Sequence, residues 1–273
     1  MSTSPKTYNV TEQYRNAGNL NARIQLHAHY SQNPYGWMRW VFDHFNLPDN
    51  AHILELGSGA GTLWRENCDR IPASWEITLS DFSPGMLQEV RRNLTHLGRP
   101  FHFEQIDAQF IPFADAQFDA VIANHMLYYV PDKPKAFAEI RRVLKPEGVL
   151  YATTVGQNHL GELRALVERF APDLVVTPLG AAETATEASF LLENGERQLA
   201  PWFSSITLRR YKDALVITDV QPLVDYVMST ETMRVAAPEA FTHFVEKEMV
   251  AQGGAIQITK DSGIFICSHI KAA

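Results

Sequence analysis

The chain has 273 residues, 45% of them hydrophobic, and a formal net charge of −7. That composition supports one large core or a core plus a small accessory region, and the acidic balance gives no long-range pull on a phosphate backbone, so nucleic acid is not an expected partner. No apolar run approaches the ~18 residues of a membrane span, and Met1-Ser-Thr-Ser-Pro-Lys6 carries no apolar signal segment, so a cytoplasmic protein without membrane attachment is expected.

Residues 1–45 are rich in aromatics and amides, among them Tyr8, Tyr14, Tyr30, Tyr35, Trp37 and Trp40. They show no strand–helix alternation, so we read them as a helical segment outside the sheet, docked by Trp37 and Trp40. The first strand is expected at Ile53–Leu56, an apolar run that carries one acid, Glu55, and leads into Gly57, Gly59 and Gly61. Lacking a Cβ, these glycines allow positive φ and close approach of a ligand to the main chain. A short helix from Thr62 would turn its unpaired N–H groups toward that ligand.

Trp75–Ser80 reads as the second strand and ends at Asp81, 20 positions beyond Gly61. An acid there is placed to accept hydrogen bonds from ribose hydroxyls. Ser83 is an N-cap with Pro84 at the first helical position, and Met86, Leu87, Val90, Leu94 and Leu97 keep helical spacing up to Gly98. Phe101–Ile106 alternates as strand three, with Asp107 and Ala108 following, and Phe118–Ala123 is strand four, followed by Asn124, His125, Tyr128 and Tyr129. Asp132 caps a helix striped by Phe137, Ile140, Val143 and Leu144, which Lys145-Pro-Glu-Gly148 stops before strand five at Val149–Val155.

Past Gly156 the alternation lapses. A helix over about Leu160–Phe170 precedes a stretch rich in Pro, Ala, Thr and Glu; then come a strand at Ser205–Tyr211, helices over Pro222–Met228 and Glu239–Val250, and strand residues within Ala255–Ser268. Cys68 and Cys267 lack CxxC spacing and sit in apolar surroundings, so both read as buried free thiols. His27 and His29, two apart on a helix, point away from each other, and no carboxylate cluster completes a site, so no metal is expected. Strand and helix alternate through the centre of the chain, which argues for a doubly wound sheet with its ligand at the carboxyl ends of the strands.

Glycine register separates two ligand classes. A dinucleotide G-x-G-x-x-G counted from Gly57 would place its third glycine at position 62, which is Thr62. The pattern present, Glu55-Leu-Gly57-Ser-Gly59-Ala-Gly61, is E-x-G-x-G-x-G and resembles the first motif of class I S-adenosylmethionine methyltransferases. The resemblance covers residues 51–155 well and the flanks loosely, and extends to the broad group that includes ubiquinone and menaquinone biosynthesis methyltransferases.

The resemblance implies an α/β, Rossmann-like fold: a mainly parallel seven-stranded sheet with one antiparallel strand and an N-terminal helical lid. The expected organisation is a lid at 1–45, a cofactor-binding core at 46–156, a specificity insertion at 157–204 and completion of the sheet at 205–273, in a single domain overall. S-adenosylmethionine is the implied cofactor, held by Glu55, Gly57, Ser58, Gly59 and Gly61, with Asp81 and Phe82 after strand two. Met86, Asp107 and Ala108 would pack or read the adenine, Asn124 would lie beside the sulfonium, and Tyr14 and Arg23 would reach in from the lid. His125 is the candidate general base, since its unperturbed pKa suits neutral pH. The expected activity is methyl transfer to a small molecule whose identity and acceptor atom stay open, as does the oligomeric state. A non-catalytic S-adenosylmethionine binder or regulator and an NAD-type oxidoreductase are the alternatives.

Overall fold

The computed structural model describes residues 18–174, 189–230 and 233–270. They fall into two compact units, one comprising residues 35–156, 190–211 and 262–270, the other residues 18–34, 157–174, 189, 212–230 and 233–261. Strands are β1 (His52–Leu56), β2 (Glu76–Asp81), β3 (His102–Gln105), β4 (Phe118–Asn124), β5 (Leu144–Val155), β6 (Phe203–Ile217) and β7 (Ile256–Ile270). They form one sheet in the order β3-β2-β1-β4-β5-β7-β6. β1 pairs in parallel with β2 and β4, and β7 runs antiparallel to β5. The order reverses direction between β1 and β4, the switch point at which open α/β sheets bind ligands.

In the first unit, side chains alternate between two cores. Leu54, Leu56, Val121 and Ala123 face one side, where Phe137, Ile140 and Val143 of α5 (Lys133–Val143) join them. Ile53, Ile77, Leu79 and Ile122 face the other, with Val41 and Phe42 of α2 (Trp37–Phe42), Leu63 and Trp64 of α3 (Thr62–Glu66), and Val90 and Leu94 of α4 (Pro84–Leu94). Both faces are covered, which is why β1 and β4 are apolar at adjacent positions, and each fully buried aliphatic side chain contributes about 1.5–3 kcal/mol.

The helix starts follow their sequence signals. Ser83 Oγ accepts from Met86 N at 3.4 Å, with Pro84 opening α4, and Asp132 Oδ1 accepts from Lys135 N at 3.1 Å at the start of α5. The stop at Lys145–Gly148 differs from expectation. β5 begins at Leu144, paired with Phe118, and pairing resumes at Val149 with Ala120, so these four residues form a bulge in the strand. Pro146 has no N–H to give a ladder, and Gly148 tolerates the distortion. Cys68 is also corrected: it is exposed, whereas Cys267 is buried and burial raises its thiol pKa. Asn67 takes the inward position instead, its Nδ2 donating to Leu63 O at 2.8 Å and Met38 O at 3.1 Å.

The second unit packs α1 (Gly18–Tyr30), α6 (Gly161–Phe170), α7 (Val220–Ser229) and α8 (Pro238–Ala251) around Leu26, Leu163, Val167, Leu223, Val227, Phe241 and Val245. The end of α1 is tied down by Asp213, whose carboxylate pairs with Lys260, takes a bond from Ser31, and accepts from the backbone N of Gln32 and Asn33 at 3.0 Å each. No helix among the described residues is long and apolar enough to cross a membrane.

Candidate functional site

The loop after β1 is left-handed at all three glycines, with φ of 68°, 54° and 75° at Gly57, Gly59 and Gly61. Two of them are also sterically required. A Cβ on Gly57 would lie 2.8 Å from Met126 Cβ, and one on Gly61 would lie 2.6 Å from Val90 Cγ2. Ser58 N donates to Ser80 O at 2.8 Å, Gly61 N to Ser58 O at 2.9 Å, and Asn93 Nδ2 to Ala60 O at 3.0 Å, so the loop is pinned to β2 and α4. Helix α3 begins at Thr62 directly beyond it and is five residues long.

Two acids flank the loop and differ in what they face. Asp81, at the end of β2, accepts from Gly59 N at 3.0 Å through Oδ2 and from Ser83 N at 2.9 Å through Oδ1. Burial raises its pKa against the pull of these backbone donors. The backbone of Phe82 donates to the carboxylate as well, and of its roughly four acceptor sites about one stays available for a hydroxyl. Glu55 points inward instead: it is buried, and its Oε2 accepts from Trp64 Nε1 at 2.6 Å. Burial pushes its pKa up to about 8, with the Trp64 bond opposing and the charge of Asp81 adding to the rise. Glu55 therefore supports the loop from beneath, on the side away from solvent.

The ends of the neighbouring strands bring the remaining residues of this unit together. Met86 is buried on α4 and Ala108 is buried after β3, while Phe82 is exposed. Both oxygens of Asp107 accept from Gln109 Nε2, at 3.0 and 3.1 Å, so an adenine amine would share that carboxylate with the glutamine. Asn124 Oδ1 accepts from Thr153 Oγ1 at 2.6 Å, and Thr153 Oγ1 accepts from His125 N at 3.0 Å. This relay holds His125 at φ 53°, an uncommon conformation for a residue with a side chain. The His125 ring lies 5.2 Å from that of Trp37 and 6.3 Å from that of Tyr128. Trp37, expected only to dock the N-terminal segment, thus also walls His125.

Arg23 is buried on α1, in the other unit, and Tyr30 Oη there donates to Asp219 at 2.7 Å. Tyr14 lies outside the described residues. Trp64, Thr153 and Met126 carry functions that local sequence does not signal: each acts on a residue in another element, Glu55, Asn124 and Gly57 respectively. Among the described residues, no group of three His, Cys, Asp or Glu side chains could hold a metal ion.

The residues fit an adenosine-bearing ligand on one further observation. Ser58 Oγ is buried in the loop and has no hydrogen-bond partner among the described residues, although buried polar atoms are normally paired. A hydroxyl left over in a Cβ-free cradle beside a carboxylate is a ready contact for a polar ligand.

Known proteins point the same way. The family model described as a methyltransferase domain matches residues 54–152. Malonyl-acyl-carrier-protein O-methyltransferase of Halorhodospira halophila is 36% identical over 128 residues, 44% of this chain and 43% of that protein. Ubiquinone/menaquinone biosynthesis C-methyltransferase UbiE of Hahella chejuensis is 33% identical over 116 residues, 42% of this chain and 47% of that protein. The matched stretch thus spans less than half the length of these relatives. Among solved structures, the cyclase SpnF superposes with a TM-score of 0.59 at 16% identity, covering 98% of both chains. That likeness concerns the fold.

Proposed function

From the methyltransferase-domain match over residues 54–152, we propose that the chain is a class I S-adenosylmethionine methyltransferase and transfers the methyl group of S-adenosylmethionine to a small-molecule acceptor. The observation that carries the proposal is the loop Gly57–Gly61, left-handed at each glycine and bonded through Gly59 N to Asp81. The register of this loop suits one nucleoside better than a dinucleotide.

Asp81 would hold the ribose hydroxyls, each charge-assisted bond being worth about 1.5–3 kcal/mol. The backbone of Gly57–Gly61 and Ser58 Oγ would line the amino-acid end, and Met86, Ala108 and Asp107 the adenine. Bound there, the cofactor supplies an electrophilic methyl group on a positively charged sulfur. The protein's task is then chiefly alignment, which can supply up to ~7–11 kcal/mol in favourable cases. Asn124 and His125, fixed by Thr153 at the end of β4, would orient the acceptor, and His125 would take a proton where the acceptor must lose one.

Calorimetry with S-adenosylmethionine, S-adenosylhomocysteine and NAD tests the ligand, and transfer of a labelled methyl group into a metabolite pool tests turnover. Heat from NAD alone overturns the proposal. Binding of the sulfonium without any transfer would identify a binder or regulator instead.

A further inference from the structure

Five aromatic rings gather beside the end of β4, all within one unit of the molecule. The Trp37 indole stacks on Trp40 at 5.2 Å, meets Tyr211 edge-on at 5.3 Å and lies 5.2 Å from the His125 imidazole, which in turn is 6.3 Å from Tyr128. The residue after His125, Met126, fills the space above Gly57. The cluster thus adjoins the glycine loop at the carboxyl ends of the strands.

One atom in it is out of keeping with the rest of the fold. Trp37 Nε1 is buried and has no hydrogen-bond partner among the described residues. Other indoles of the same unit are satisfied: Trp64 donates to Glu55 at 2.6 Å and Trp75 to Pro48 O at 2.9 Å. A buried donor left unpaired is costly and uncommon. Such a donor persists where something else supplies the acceptor, and this one sits against the candidate base.

We propose that Trp37 Nε1 donates a hydrogen bond to an oxygen of the methyl acceptor, and that this oxygen is borne by a flat, unsaturated group lying among the rings of Trp37, His125 and Tyr128. A planar group matches aromatic walls by stacking or edge contact. A site built to bond an oxygen also rejects the analogue lacking it. The inference rests on the methyltransferase reading and assigns to Trp37 the role of orienting the acceptor.

Nitrogen-15 spectra of the full chain test it without turnover. The chain has five tryptophans and hence five indole cross-peaks; W37F identifies the one that matters, and should that variant not fold, correlation from the backbone does so in the unaltered protein. Saturating S-adenosylhomocysteine should move the amides of Gly57–Gly61 and leave the Trp37 indole proton upfield. Acetophenone added to that complex should then shift this proton downfield, whereas α-methylstyrene, of the same shape but with CH2 in place of the carbonyl oxygen, should not. The inference is overturned if acetophenone leaves the indole unmoved, if both probes move it equally, or if S-adenosylhomocysteine alone moves it downfield, which would make Trp37 a cofactor donor. Failure of S-adenosylhomocysteine to move any loop amide would instead remove the methyltransferase reading.

Discussion

Substituting Glu55 by Gln tests the buried acid beneath the glycine loop. Its folded-state pKa of about 8, against an ordinary 4.5, means that the folded protein keeps a proton which the unfolded chain releases between those values. The associated stability is complete below pH 4.5 and is lost as pH rises through about 8. At 1.36 kcal/mol per pH unit, and with titration half complete at the upper end, Glu55 alone should remove about 2 kcal/mol between pH 6 and 8. Gln keeps an oxygen for Trp64 Nε1 but cannot titrate. Asp81, also raised, is present in both proteins, so the difference reads Glu55 together with its coupling to Asp81. All five tryptophans belong to the unit containing the loop, so urea unfolding followed by tryptophan fluorescence reads that unit. The wild-type protein should lose about 2 kcal/mol more than Glu55→Gln from pH 6 to pH 8. Equal losses in the two proteins would refute the assignment of a protonated Glu55.

Gly61→Ala combines a left-handed backbone, costing about 1–2 kcal/mol for an L-residue, with a clash against Val90 costing about 1–3 kcal/mol. Urea midpoints should therefore fall by the equivalent of about 2–5 kcal/mol, and an unshifted midpoint would contradict the packing described. Asp81→Ala should weaken S-adenosylhomocysteine at least about tenfold by calorimetry, given roughly 1.4 kcal/mol per decade; full affinity would remove Asp81 from the site. His125→Asn suits the left-handed backbone while removing the imidazole. It should lower turnover of the acceptor found by labelled transfer by about 10²–10⁴-fold with S-adenosylhomocysteine affinity unchanged, and undiminished turnover would end the case for a base at this position.

The parts of this molecule that local chemistry decides were legible from the sequence. The continuous apolar runs of β1 and β4, the caps at Ser83 and Asp132, and the glycine register at 57, 59 and 61 each depend on neighbours within a few positions. What escaped reading depends on distant partners. Trp64 meets Glu55 because α3 folds back over β1, and Tyr211 reaches Trp37 only once β6 has joined the sheet. The bulge at 145–148 arises from the pairing of Phe118 with Leu144, which no periodicity within β5 announces. Exposure of Cys68 follows from Asn67 claiming the inward position, a choice made by the carbonyls of Leu63 and Met38.

Met126 resting on Gly57 ties the two halves of the site into a single mechanical part. Position 57 cannot accept a side chain while position 126 keeps its Cβ, so a change at the first requires a change at the second. A suppressor screen begun from Gly57→Ala should return glycine at 126, which lacks the Cβ that lies 2.8 Å away, and this would recover the steric share of the damage while leaving the backbone share, fixed by a φ of 68°, uncorrected. Variation that retunes the acceptor side is thereby disciplined by the nucleoside side, 69 positions earlier in the chain (126 − 57).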